Sequence, residues 1–183
     1  MKFFDKYFNL IDENVKSIDH NKLNDVADLI KKTANNNNKI IIAGNGGSAA
    51  MASHVSVDFT KAAGIRAINF NEADLLTCLS NDYGYERVFE KAVTFYGDGG
   101  DLLILISSSG KSTNVINAAK RAKELNMNVI TFSGFERDNP LRKLGDISFW
   151  VDSRAYNIVE MTHHIWLLAI VDYIIGDIEY SAS

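Results

Sequence analysis

The stretch Leu102-Leu103-Ile104-Leu105-Ile106-Ser107-Ser108-Ser109-Gly110-Lys111-Ser112-Thr113 reads as a buried strand running into a hydroxyl-rich turn and then a helix. An unbroken apolar run with no polar alternation suits a strand covered on both faces, as in a parallel sheet. A helix start leaves backbone N–H groups unpaired and carries a partial positive charge, so an anion placed there meets donors already free. Serines around such a junction add hydroxyl donors to the same oxygens. The turn therefore predicts a phosphate cradle made by Ser107, Ser108, Ser109 and Ser112. It is not a nucleotide P-loop, because that motif needs a glycine five residues before its second glycine, and position 105 is Leu.

Outward from this turn, strand and helix patterns alternate. Apolar residues 40–43 precede Gly44-Asn45-Gly46-Gly47-Ser48-Ala49 and a helix from about Ser48; residues 67–70 form a short strand before helical patterns through Leu79 and over 85–96. A helix then covers about 113–125, residues 129–132 form a strand with a short helix after Pro140, and residues 147–151 lead into a long helix from about Tyr156. Strands and helices at this spacing predict an α/β fold: a three-layer α/β/α, doubly wound parallel sheet, with ligands beyond the carboxyl ends of the strands. Two amphipathic helices come first, with Phe4, Phe8, Ile11 and Val15 on one face of the first and Leu23, Val26, Ala27 and Ile30 on one face of the second. The Asn run at 35–38 is a loop.

A length of 183 residues with 46% apolar content suits one core, so residues 1–183 are expected to form a single domain with N-terminal helices over 1–37. A net charge of −4 offers no basic face, and no nucleic acid partner is expected. The single cysteine, Cys78, lies in an apolar helical pattern and reads as a small buried hydrophobe in a reducing compartment. The start Met1-Lys2-Phe3-Phe4-Asp5-Lys6 is too charged for a signal peptide, and the apolar residues 165–175 are too short, and broken by Asp172, for a membrane span. A cytoplasmic protein with no membrane partner is expected.

The glycine turn after residues 40–43 also satisfies the loose G-x-G-x-x-A dinucleotide pattern, with Glu72 at about the distance of a ribose-binding acid. Glycines that simply permit a tight strand–helix turn explain it nearly as well. The hydroxyl-rich second junction favours a small phosphorylated ligand, since a dinucleotide fold has no need of it.

Taken in order, Gly44-Asn45-Gly46-Gly47-Ser48, His54, Ser80-Asn81-Asp82-Tyr83-Gly84 and Ile106-Ser107-Ser108-Ser109-Gly110-Lys111-Ser112 resemble the SIS (sugar isomerase) domain, and within it the single-domain phosphoheptose isomerase group. The resemblance implies that Ser107, Ser108, Ser109 and Ser112 hold a sugar phosphate. It implies further that Asn45, Gly46, Gly47 and Ser48 line the crevice, and that Asp82 contacts sugar hydroxyls. A homotetramer with active sites at subunit interfaces is implied too, the N-terminal helices contributing to assembly.

The catalytic set departs from the family. Aldose–ketose interconversion through an enediol needs one group to move a proton at carbon and another to move one at oxygen. The family's base is a glutamate four residues after the histidine matched by His54; here that position is Asp58. A carboxylate displaced by about 1 Å can cost about 100-fold in rate. The family's last helix carries a glutamine and, two turns later, a histidine. Those positions fall on Val159 and Leu167 or, shifted by one, on Glu160 and Leu168, so the histidine is missing either way. Glu160 is then a substrate contact. His163, one turn from the expected position, is the candidate acid/base, with packing at a subunit contact as its plain alternative; His164 is a weaker candidate. His54 and Asp58, four apart on a helix, offer two zinc ligands, and His54 alternatively orients a sugar hydroxyl. Since a third and fourth ligand would have to come from Glu160 or His163, no cofactor is expected to be required. Lys61, Arg66, Arg154 and Tyr156 are further polar candidates without a role.

The leading expectation is thus a phosphosugar aldose–ketose isomerase, acting on sedoheptulose 7-phosphate or a related sugar. The alternative is a non-catalytic phosphosugar-binding or protein-partner module, like the replication-initiation partners that share this fold, and a dinucleotide enzyme ranks third.

Overall fold

In a computed structural model describing residues 2–180, five strands form one parallel sheet in the order β2-β1-β3-β4-β5. They are β1 (Ile40–Gly44), β2 (Ala67–Asn69), β3 (Leu102–Ser107), β4 (Asn128–Ser133) and β5 (Ile147–Trp150). The helices are α1 (Phe3–Lys16), α2 (His20–Asn35), α3 (Gly47–Lys61), α4 (Ala73–Tyr83), α5 (Val88–Tyr96), α6 (Thr113–Glu124) and α7 (Tyr156–Ile175). The helix expected after Pro140 is a single 3-10 turn, Arg142–Leu144, and a second such turn, Tyr85–Arg87, joins α4 to α5.

Alternate residues of each strand feed opposite faces of the sheet. Ile40, Ile42, Leu102, Ile104 and Ile106 pack with Val26 and Ile30 of α2, Met51, Val55 and Phe59 of α3, and Val159, Trp166 and Leu167 of α7. Ile41, Ala43, Leu103 and Leu105 pack with Leu79 of α4, Val88 and Phe89 of α5, and Val115 and Ala118 of α6. Every residue of β1 and β3 is buried, which is why their sequences are apolar without alternation. The two strands begin together on one buried carboxylate. Asp101 accepts from the backbone N–H of Lys39 and of Asp98, each at 2.9 Å, and lies 2.6 Å from the Lys39 ammonium.

In this strand order the crossovers leave β1 and β3 towards opposite faces, so a crevice opens at their carboxyl ends. Ala43 pairs with Leu105 and Gly44 with Ile106, bringing the glycine turn and the serine turn side by side.

The helix α7 has the length and apolarity of a membrane span, yet Ile158, Val159, Thr162, His163, Trp166, Leu167, Ile170 and Val171 are buried within the fold, as expected of a core helix. By contrast α1 buries none of its side chains; it lies along α7, where the Trp166 indole N–H donates to the Val15 carbonyl at 3.0 Å. Its amphipathic face is therefore only partly covered inside the chain: Tyr7, Ile11 and Val15 are half-buried, while Phe3, Phe4 and Phe8 are exposed. Cys78 corrects another expectation. It is exposed, because α4 buries only Leu79, and its thiol lies 3.8 Å from Asp82 Oδ2.

Candidate active site

Two helix N-termini meet at the crevice. The first is α3, entered through Gly46 at φ 55°, and the second is α6, preceded by Ser112 in extended conformation. Asn45, Ser48, Ile106, Ser107, Ser108, Ser109, Ser112, Tyr156 and Glu160 line a cavity of about 210 Å³ between them. The Ser107 and Ser112 hydroxyls lie 3.2 Å apart, and the Lys111 N–H donates to Ser109 Oγ at 3.2 Å, so the turn is folded onto itself. Ser108 is 5% exposed, and its hydroxyl has no hydrogen-bond partner among the described residues. A buried hydroxyl is normally paired. An unpaired one, in a cavity faced by two helix starts, is a donor of the kind that suits an anion.

Asn45 is held from the opposite wall. Its side-chain amide exchanges hydrogen bonds with that of Asn114 at 2.9 and 3.0 Å, and its carbonyl accepts from the Tyr85 hydroxyl at 2.8 Å. Neither Asn114 nor Tyr85 was legible as a site residue; their only signal is a place just inside α6 and just after Gly84. Glu160 reaches across from α7 to the start of α3. A Cβ on Gly47 would stand 2.5 Å from Glu160 Oε2, so a side chain there would push the carboxylate aside. Tyr156 enters the lining, its ring 4.8 Å edge-on from Phe135. Arg154 is instead paired with Glu136, and Arg66 with the Asn37 carbonyl.

One turn further along α7, His164 meets α3. Its Nε2 lies 3.1 Å from His54 Nδ1, and the other nitrogen of His54, Nε2, lies 3.3 Å from Asp58 Oδ2. His54 is thus engaged on both sides of its ring, with Asp58 and His164 apart. Among the described residues no three His, Cys, Asp or Glu side chains converge on one point. The zinc set considered from His54, Asp58, Glu160 and His163 does not fit this arrangement.

His163 is a second correction. It is fully buried, its Nε2–H donates to the Ser133 carbonyl at 3.0 Å, and its ring packs on Phe132 and Trp166. It faces the sheet and reaches neither the crevice nor the surface, so it is neither acid/base nor subunit contact. Burial pushes its pKa down to about 4, against the opposing effect of the Ser133 bond. The unfolded chain therefore binds a proton at about pH 6.5 that the folded chain refuses. This contribution to stability is complete above pH 6.5 and is lost as the pH falls toward 4, at about 1.4 kcal/mol per unit. Urea unfolding between pH 7 and about pH 4 should show that slope, and His163→Gln should flatten it.

Asp82 also departs from expectation. Its carboxylate is exposed at the end of α4, accepting from the Asn81 side chain at 2.9 Å, and it does not line the crevice of its own chain. Glu72, the acid the dinucleotide reading requires, lines a different cavity beside β2.

The SIS domain family model matches residues 2–134, a span that includes the glycine turn, the serine turn and α3 and stops before α7. The phosphoheptose isomerase of Thermodesulfovibrio yellowstonii is 34% identical over 147 residues, covering 77% of this chain and 73% of that one. The structure of the phosphoheptose isomerase from Neisseria gonorrhoeae superposes with a TM-score of 0.85 at 31% identity, covering 93% of this chain and 94% of that one. The phosphoheptose isomerase from Francisella tularensis superposes at 0.86 with 25% identity, over 96% of this chain and 99% of that one. The chain therefore belongs to the SIS domain family, in its phosphoheptose isomerase group.

Proposed function

We propose that this chain interconverts aldose and ketose forms of a phosphorylated sugar, of the length of sedoheptulose 7-phosphate. The observation that carries this reading is the buried, unpartnered Ser108 hydroxyl in a serine-lined cavity where the starts of α3 and α6 converge. With the phosphate there, Glu160 is the next polar group along α7, and His164 follows after four residues, about 6 Å of helix. A carbonyl end lying far from the phosphate is thereby brought to the seam of His54, Asp58 and His164.

In this reading Asp58 takes the proton from the carbon beside the carbonyl, His54 holds Asp58 in place, and Asn45, Ser48 and Glu160 fix the sugar. Since the candidate zinc ligands do not converge, no step is routed through a metal. The chain works as a homotetramer: Phe3, Phe4 and Phe8 of α1, and Val57, Met161 and Ile165 beside His54 and His164, are exposed apolar surface of the kind that subunit contacts cover. Asp82, outside its own crevice, is then free to serve another subunit. A reducing cytoplasm suits the exposed Cys78 thiol. Light scattering should give four times the chain mass, and the double change Phe4→Glu, Phe8→Glu should give a smaller species.

The deciding experiment is proton–deuterium exchange, followed by NMR, on sedoheptulose 7-phosphate and shorter sugar phosphates in heavy water. Exchange at the carbon beside the carbonyl is expected. Line broadening that reports binding, with no exchange, would replace the isomerase by the binding module.

A further inference from the structure

We propose that Asn114 is the positioning residue of the crevice. It caps α6 in place of Ser112, which leaves the Ser112 hydroxyl in the serine turn for the ligand, and it locks Asn45 so that a single free N–H remains there. This rests on the phosphate-binding part of the isomerase reading and names the residue that prepares both turns for it.

Ser112 is the N-cap of α6, and a serine there ordinarily accepts from the backbone N–H two or three residues on. Val115 is three residues on, just before the first intrahelical bond, which runs from the Ile116 N–H to the Ser112 carbonyl at 3.0 Å. The Ser112 hydroxyl makes no capping bond and lies 3.2 Å from Ser107 Oγ. The Val115 N–H donates instead to Asn114 Oδ1 at 3.0 Å. Asn114 is 3% exposed, so the cap comes from a buried side chain and the cavity keeps its hydroxyl.

The same bond fixes two side-chain amides. A backbone N–H needs an acceptor, so the atom of Asn114 that meets Val115 is its carbonyl oxygen, and its NH₂ donates to Asn45 Oδ1 at 2.9 Å. Asn45 Nδ2 returns a bond to Asn114 Oδ1 at 3.0 Å. The Tyr85 hydroxyl donates to Asn45 Oδ1 at 2.8 Å and fills the second lone pair of that oxygen. Turning the Asn45 amide over would set NH₂ against NH₂ and oxygen against oxygen. Among the described residues, one N–H is then all the hydrogen-bonding capacity left on Asn45, a side chain that lines the cavity with Ser107, Ser108 and Ser112. It can only donate, so it suits an oxygen of a phosphorylated sugar that accepts. One buried amide thus sets the hydroxyl of the turn after β3 and the amide of the turn after β1.

Two measurements on the full chain test this, and neither needs turnover. In ³¹P NMR titrations with inorganic phosphate, Asn114→Ala releases the Ser112 hydroxyl to turn back and cap Val115, so phosphate should bind about tenfold more weakly. Ser112→Ala should lose a similar factor, and adding Asn114→Ala to it should cost nothing further, because Asn114 acts through Ser112. A merely structural asparagine would weaken binding equally in both backgrounds. In the wild-type protein, ¹⁵N-edited NMR should show one Asn45 side-chain hydrogen close to the Asn114 side chain, and the other should shift when sedoheptulose 7-phosphate is added. This second readout needs no variant to fold. Wild-type affinity in Asn114→Ala, a further loss in the Ser112→Ala background, or an Asn45 amide that stays still overturns the role of Asn114 and leaves the isomerase standing. A wild-type protein that binds both probes without turning the sugar over overturns the isomerase reading and leaves Asn114 in its role. Binding of neither probe overturns the serine cradle and this inference with it.

Discussion

Asp58→Asn should lower turnover of sedoheptulose 7-phosphate by about 100- to 10,000-fold while the sugar phosphate stays bound. Asparagine keeps the volume and planarity of aspartate, and the seam between α3 and α7 is held by His164 against His54, which the change leaves in place. What disappears is a group able to take a proton from carbon. The Ser107–Ser112 turn lies at the end of β3, away from the change, so phosphate recognition is untouched. The measurement pairs kcat with sugar phosphate line broadening; wild-type kcat in Asp58→Asn would rule Asp58 out as the base. Asp58→Glu restores the family's side-chain length and tests the other half of the idea. If the rest of the site has adapted to aspartate, the longer carboxylate is displaced by about 1 Å and loses rate instead of gaining it.

Gly110→Ala should unfold the serine turn at a cost of about 1–3 kcal/mol from backbone strain alone. Gly110 sits at φ 62°, a conformation that favours glycine. A Cβ there would also stand 2.0 Å from Asn139 Oδ1. Asn139 cannot step aside cheaply. It is buried, its side-chain oxygen accepts from the Arg142 N–H at 2.9 Å, and its NH₂ donates to Ser133 Oγ at 3.1 Å and to the Glu136 carbonyl at 2.8 Å. Displacing it adds an overpacking cost of about 1–3 kcal/mol, and the two together should lower Tm by roughly 4–24 °C. Affinity for the sugar phosphate should fall as well, since the Gly110 N–H closes the turn onto the Ser107 carbonyl at 2.9 Å. A melting curve and a binding isotherm on the same sample check both; an unchanged Tm would mean that the turn relaxes freely.

The half of the crevice made by the glycine and serine turns was legible because its signals are local. An apolar run, a glycine or serine turn and a helix start are contiguous in sequence, and the parallel register of β1 with β3 then brings the two turns together. The α7 half was not. Consecutive helix positions differ by about 100° in direction, so choosing between His163 and His164 requires knowing which face meets the sheet. Ile165, Trp166, Leu167 and Leu168 follow both, and a helix apolar almost all round has no periodicity to mark that face. His163 went inward to the Ser133 carbonyl and His164 outward to His54, the reverse of the expected preference. Cys78 and Asp82 misled for a related reason: α4 is anchored by Leu79, and the residues on either side of it face away from the core.

The first helix ties the molecule's cohesion to its abundance. Fourteen residues that bury no side chain of their own are too few to hold a helix in water unaided. Whatever covers Phe3, Phe4 and Phe8 supplies the missing stabilisation, and when that cover is further copies of the chain the supply obeys mass action. Dilution then loosens α1 first, and through the Trp166–Val15 contact it slackens α7, the helix that carries Glu160 and His164. In such an assembly specific activity would follow how much of the protein is present, and a scarce enzyme would also be a disassembled one.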